Sequence, residues 1–356
     1  MIELFGYQIT ILQVLAVVFG IGLLIFIHEL GHFLLAKYFK LRVEQFAFGF
    51  GPELIGFTYG ETRYSICAFP LGGMVKMPGE NIESATGNPD EFLSQAWYKR
   101  LLIAFFGPLM NYLLAIVLFA AVVHFWGVPK PSSLPVIGQV VEGKPAQKAG
   151  LLEGDRVISI DSTAVKSWEE MAKVIYKKPG QKISMAVQRG EKNFTLRFTT
   201  TKDDSTGNGI IGVMPLIEKE KFGVLNSVAM GGKIAVFQSV YTLQYLGTKL
   251  IRWEKPELAG PIGVIQIIAK AAKMGIDNLL YLLGVISVAL GLFNLLPIPL
   301  VDGGHIMIAL IEFITRKPVN KKAIITSNFI GLGIIIFIFV FATYSDIARI
   351  VFDMKK

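Results

Sequence analysis

The sequence predicts a polytopic α-helical membrane protein with four transmembrane helices, a membrane-associated β-element and one β-rich domain inserted outside the membrane. Three observations carry this reading. Of the 356 residues, 53% are hydrophobic and only 17% are charged, and the mean hydropathy of +0.53 lies well to the apolar side of ordinary soluble domains. Four apolar stretches, at residues 9–38, 101–126, 279–314 and 323–343, are each near or above the ~20 residues that cross hydrocarbon. Between the second and third, residues 135–215 alternate short β-rich runs (136–141, 156–160, 182–188 and 194–200) with turn residues and charges, the pattern of a soluble domain.

The first stretch reads as a retained helix. Met1 to Gly6 carries Glu3 and no Lys or Arg, no small-residue cleavage site follows, and the apolar run exceeds the core of a signal peptide. Residues 41–77 form neither a spanning helix nor a polar loop. Phe46-Ala-Phe-Gly-Phe-Gly-Pro52 and Leu71-Gly-Gly-Met-Val-Lys76 predict short strands with glycine turns, which must be buried against protein or lie at the interface, because unsatisfied backbone is not tolerated in lipid. Residues 218–253, with Lys233, Lys249 and Arg252 among apolar neighbours, read as an amphipathic helix on the membrane surface. The third stretch is broken internally by Pro297 and Pro299, and the fourth is continuous. The chain therefore divides at 1–127, 128–217, 218–275 and 276–356.

Orientation follows from the basic residues. Lys37, Lys40, Arg42, Lys99 and Arg100 flank one side of the first two helices, and Arg316, Lys317, Lys321 and Lys322 flank the last two. The positive-inside rule puts both groups in the cytoplasm and leaves the N-terminus, the insert and the C-terminus outside, although Lys355 and Lys356 run against it. These dispersed cations account for the net charge of +8; no basic run is interleaved with stacking aromatics, so nucleic acid is not an expected partner. Cys67 is the single cysteine, which rules out an internal disulfide and leaves an apolar filler.

Inside the first helix stands His28-Glu29-Leu30-Gly31-His32. Two His at i and i+4 lie on one helical face, spaced to share one zinc, with Glu29 beside them as a general base. In a lipid-spanning helix these groups cost several kcal/mol unless paired or metal-bound, so they mark function. A catalytic zinc takes three protein ligands and keeps one position open. The candidate third ligand is Asp302, in Asn294-Leu-Leu-Pro-Ile-Pro-Leu-Val-Asp-Gly-Gly-His305, where the prolines break the helix and Gly303 and Gly304 let the backbone turn. Depth supports the pairing: at 1.5 Å per residue His28 lies roughly 27 Å beyond Thr10, and Asp302 roughly 30–35 Å beyond Leu279, both in the cytoplasmic half. His305 is a rival ligand, and a helix-capping role for Asp302 is the alternative.

On these motifs, joined by Gly107-Pro108-Leu-Met-Asn111 on the second helix, the chain resembles the site-2 protease family of intramembrane zinc metalloproteases, of the bacterial regulator-of-sigma-E protease type, over nearly its whole length. The resemblance implies a multi-pass enzyme of the bacterial cytoplasmic (inner) membrane that cuts within transmembrane segments of single-pass proteins, anti-sigma factors or remnant signal peptides among them. It implies one Zn2+ per chain on His28, His32 and Asp302, with Glu29 activating water. Asn111 and Asn294 would hold the substrate extended; interhelical hydrogen bonding is their alternative role. Gly72 and Gly73 would sit at the turn of a membrane-reentrant β-element that pairs with the substrate strand. The segment Gly150-Leu-Leu-Glu-Gly-Asp-Arg-Val-Ile-Ser-Ile-Asp161 resembles that of bacterial PDZ domains. An insert of about 80 residues accommodates one such domain where the enterobacterial type has two. If it binds peptide, and does not act only as a steric filter, the strand of Ile137, Gly138, Gln139 and Val140 is where an extended segment would add.

Two other classes compete: a metal transporter, since intramembrane His and Asp also mark ion paths, and a scaffold with a relict metal site. The first leaves Glu29 beside the His pair and the insert unexplained. The second has no use for Glu29.

Overall fold

The computed structural model describes residues 2–4, 7–80, 85–254, 256 and 259–353. The chain forms two compact units, one of residues 1–125 and 223–356 and one of residues 126–222.

In the first unit, strands β1 (Ile2–Leu4) and β2 (Tyr7–Ile9) pair antiparallel ahead of helix α1 (Ile11–Tyr38). The Thr10 hydroxyl accepts the Gln13 N–H at 3.3 Å and the Gln13 side chain accepts the Thr10 N–H at 2.8 Å, a reciprocal cap that fixes where α1 begins. Strands β3 (Gln45–Tyr59) and β4 (Thr62–Lys76) follow, joined at Gly60 with φ of 59°. Residues 45–48 are flanked on one side by 63–66 and on the other by 73–76, so the hairpin folds back on itself. The turn of this element is at residues 60–61 and not at Gly72 and Gly73, which lie within β4. Phe33 stacks on Phe46 at 4.6 Å and seats the sheet on α1; Cys67 is buried in it as a free thiol.

Helix α2 (Trp97–Trp126) carries Pro108 inside it. Among the described residues, α1, α2, α7 (Ile276–Asn294) and α9 (Lys321–Asp353) contain the four segments long and apolar enough to cross a membrane. Between the insert and α7 stand α5 (Val224–Ile251) and α6 (Pro261–Met274). The expected single surface region at 218–275 is therefore corrected. Its first residues belong to a strand of the insert, and α5 is packed into the helical unit: Ala235 is buried with Ala115, Phe119 and Val288, and the Ser239 hydroxyl meets the Tyr112 hydroxyl at 3.0 Å. Small side chains at Ser227, Gly231 and Ala235 allow that approach. The N-terminus of α6 is satisfied by the buried Asp346 of α9, whose carboxylate accepts the Gly263 N–H at 2.7 Å.

After α7 the prolines end the helix. Residues 295–301 turn, with Leu300 at φ 75°, and α8 (Asp302–Thr315) starts. A Cβ on Gly303 would fall 1.9 Å from the Leu296 carbonyl oxygen, so only glycine closes this turn.

The second unit contains β5 (Val128–Pro131), β6 (Ile137–Val140), α3 (Pro145–Lys148), β7 (Arg156–Ile160), β8 (Thr163–Ala164), α4 (Trp168–Tyr176), β9 (Lys182–Arg189), β10 (Lys192–Thr199), β11 (Thr201–Lys202), β12 (Gly209–Ile210), β13 (Val213–Pro215) and β14 (Ile217–Glu220). A four-stranded sheet in the order β10-β9-β7-β8 and the β13-β6 pair enclose Ile137, Val157, Ile160, Met171, Met185 and Val187, a PDZ-like β-rich arrangement. Because β14 pairs with β5 over 217–220, the insert ends beyond residue 217, at 222.

Asp155 is 0% exposed and is gripped by Arg189, whose Nε and Nη2 lie 2.7 and 2.8 Å from its two carboxylate oxygens. Burial alone would raise its pKa, but this guanidinium and the Leu152 N–H outweigh burial and hold the carboxyl below its usual range. Its folded pKa thus lies below its unfolded one, so the stabilisation is complete above the unfolded value of ~3.9 and is lost as pH falls through the folded one. Asp155→Ala is expected to destabilise the unit, because it removes both hydrogen bonds from Arg189 and the acceptor of the Leu152 N–H. Hydrogen exchange of 156–189 in the full chain measures this; wild-type protection in the variant would refute it.

Candidate active site

His28 and His32 lie one turn apart on α1, both buried, with rings at 85° and Nε2 atoms 3.3 Å apart. Asp302, the first residue of α8, brings its carboxylate to both: Oδ2 is 3.1 Å from His28 Nε2 and Oδ1 is 3.3 Å from His32 Nε2. At zinc–ligand distances of 2.0–2.1 Å the edge of a tetrahedron is roughly 3.3 Å, close to the distance between the two nitrogens and to that of each nitrogen from one of the two carboxylate oxygens. Asp302 Oδ2 is buried without a hydrogen-bond donor of its own, as expected of a carboxylate oxygen kept for a metal. The donor set of two imidazoles and one carboxylate fits zinc and leaves a fourth position open.

The far side of each ring is held by α2. His32 Nδ1 lies 2.8 Å from the Ile103 carbonyl oxygen, which accepts its N–H and turns the Nε2 lone pair inward. His28 Nδ1 is 3.1 Å from the Asn111 side-chain amide. The contacting atom is the amide nitrogen Nδ2, while the buried Asn111 Oδ1 has no partner; turning the amide over puts the oxygen on Nδ1 and leaves the His28 Nε2 lone pair for a metal. Two glycines permit the approach: a Cβ on Gly31 would lie 2.3 Å from the Phe106 carbonyl oxygen, and one on Gly107 2.3 Å from His32 Nε2.

Glu29, about 100° round the helix from His28, faces β4. Its Oε2 accepts the Val75 N–H at 3.2 Å, and Gly73 borders it, where a Cβ would lie 3.0 Å from Glu29 Cγ. Gly72 lies beneath Phe50. Asn111 is fully buried and addresses a zinc-ligand candidate through its side chain. Asn294 ends α7 half-buried, outside the converging set. His305 does not join the set either; its ring meets Phe92 edge-on at 5.7 Å. The strand of Ile137, Gly138, Gln139 and Val140 is not the open edge expected of it. β13 pairs along β6, Ile137 bonds to Gly154 and Asp155 on the other side, and a Cβ on Gly138 would lie 2.3 Å from the Pro215 carbonyl oxygen. Sequence reasoning missed the backbone groups of Ile103 and Val75, which any residue type supplies.

Residues 16–338 match the model of peptidase family M50. The chain belongs to that family. It is 34% identical to a provisionally named zinc metalloprotease of Clostridium acetobutylicum, over 94% of this chain and 97% of that one. It is also 29% identical to the zinc metalloprotease RasP of Bacillus licheniformis, over 95% and 99%. Among solved structures, the PDZ domain of an SdrC-like protein of Listeria monocytogenes covers 25% of this chain and 94% of its own, at 27% identity and a TM-score of 0.22. This M50 protein is a membrane zinc metalloprotease.

Proposed function

We propose that this M50 protease holds one zinc per chain on His28, His32 and Asp302 and hydrolyses peptide bonds within transmembrane segments of single-pass membrane proteins. The observation that carries the reading is the meeting of these three side chains within metal-binding distance of one another, with both histidines on a helix apolar enough to span a membrane. Its setting is the bacterial cytoplasmic membrane, with the N-terminus, insert and C-terminus outside and the centre in the cytoplasmic half.

A transmembrane substrate hides its carbonyls in its own helix, so it must be unwound, and the edge of β4 beside Glu29 offers the released backbone new partners. Gly73 keeps that edge clear. When bound, zinc supplies a Lewis acid that polarises the scissile carbonyl and makes water a better nucleophile. Glu29 takes the proton of the attacking water and passes it to the leaving amine as the C–N bond breaks. Asn111 orients His28, and Asn294 contacts the extended substrate. The insert selects substrates by their outer tails.

Asn111→Leu is expected to weaken zinc binding by ~10–100-fold, the usual cost of losing an outer partner of a ligating His. Chelator competition on purified protein reads this, and unchanged affinity would return Asn111 to a substrate role. The function itself is tested with a panel of transmembrane reporters carrying short or folded outer tails. Failure to cut any reporter by zinc-loaded protein would favour the scaffold reading.

A further inference from the structure

The charged side chains of Arg100 on α2 and Glu312 on α8 form an ion pair, 8% and 13% exposed. Arg100 Nε also donates to the Gln95 carbonyl at 3.1 Å, before α2, and Glu312 Oε1 accepts the Val319 N–H at 3.3 Å, beyond α8. Neither residue belongs to the set of converging ligands. A buried pair is a weak source of stability, because apolar residues of similar size often do as well; fixing one arrangement among several is its better-attested use.

α8 has reason to need fixing. It is a 14-residue helix that begins at Asp302 after the broken segment 295–301. Glu312 is ten residues beyond Asp302, about 15 Å along the helix. At the same end Trp97 of α2 packs on Phe313 at 4.5 Å. Arg100, Ile103, Gly107 and Asn111 recur along α2 at offsets of three, four and four, the spacing of one helical face. Ile103 and Gly107 meet His32, and Asn111 meets His28. Arg100 completes the stripe by holding the helix that carries Asp302.

We propose that Arg100 and Glu312 are a positioning pair, which registers α8 on α2 so that Asp302 reaches the His28–His32 pair. The inference rests on the zinc reading above. Zinc affinity is measured on full-length protein in detergent by competition with a chromophoric chelator, and thermal unfolding of the metal-free form reports the fold. Arg100→Met and Glu312→Gln should each weaken zinc binding by about tenfold or more, as for other outer supports of a metal site. The double charge reversal R100E/E312R should recover most of the affinity. Arg100→Lys, which keeps the charge but loses the fork, should fall between and serves if Arg100→Met does not fold. Single variants that melt lower yet bind zinc like wild type would make the pair merely stabilising and overturn the proposal, as would a folded double reversal that binds no better than the singles. Asp302→Ala is the control: undiminished zinc there would instead overturn the assignment of the centre.

Discussion

Glu29→Gln is expected to retain zinc in full while turnover on a transmembrane reporter falls by ~10²–10⁴, the range typical of a lost general base. The geometry separates the two effects. Glu29 points to β4, where the Val75 N–H holds its carboxylate, whereas the ligand atoms that converge within 4.8 Å of one another come from His28, His32 and Asp302. A glutamine of the same shape still accepts the Val75 N–H but cannot take a proton from water. Elemental analysis and reporter cleavage on the same preparation read both quantities. Turnover within tenfold of wild type would end the role of Glu29 as base, and loss of zinc would make it a ligand.

Asp302→Ala should remove most of the zinc, and turnover with it. Two imidazoles remain, too few for a catalytic zinc, which uses three protein ligands. The carboxylate is also the one anionic member of the set, so its loss leaves the ion's charge unbalanced in a buried site. Its nearest substitute, His305, has its ring against Phe92, so rescue would require α8 to shift. Zinc content is read after dialysis against a mild chelator. Full occupancy in the variant would falsify the assignment and promote His305.

Much of this molecule was legible from residue order because its strongest constraints are local. The i, i+4 spacing of His28 and His32 places them on one face of any helix, and Pro297 with Pro299 must interrupt the third apolar stretch whatever surrounds it. The four apolar helices followed from hydropathy, and the β-rich insert from its alternation of short β-rich runs with turn residues and charges. The misreadings concern pairing. Gly72 and Gly73 suggested a turn, yet the turn formed at Gly60, because residues 45–48 take partners on both sides and draw 73–76 alongside. The 137–140 strand suggested an open edge, but β13, distant in sequence, covers it. The amphipathic look of 218–253 concealed a break at 221–223 and a small-residue face that packs on α2. Partners contributed by backbone, such as the Ile103 carbonyl and the Val75 N–H, leave no mark on composition at all.

The close meeting of α1 and α2 at Gly31 and Gly107 bears on protein engineering. Grafting His-Glu-x-x-His onto a helix of another scaffold would transfer the side chains without the clearance that lets a neighbouring backbone reach them. At either glycine a single methyl group would intrude to 2.3 Å, well inside van der Waals contact. A recipient helix pair therefore needs glycine at both crossing positions before any ligand is installed, and in a mutational scan these two residues, which have no reactive group, should prove as intolerant of change as the histidines.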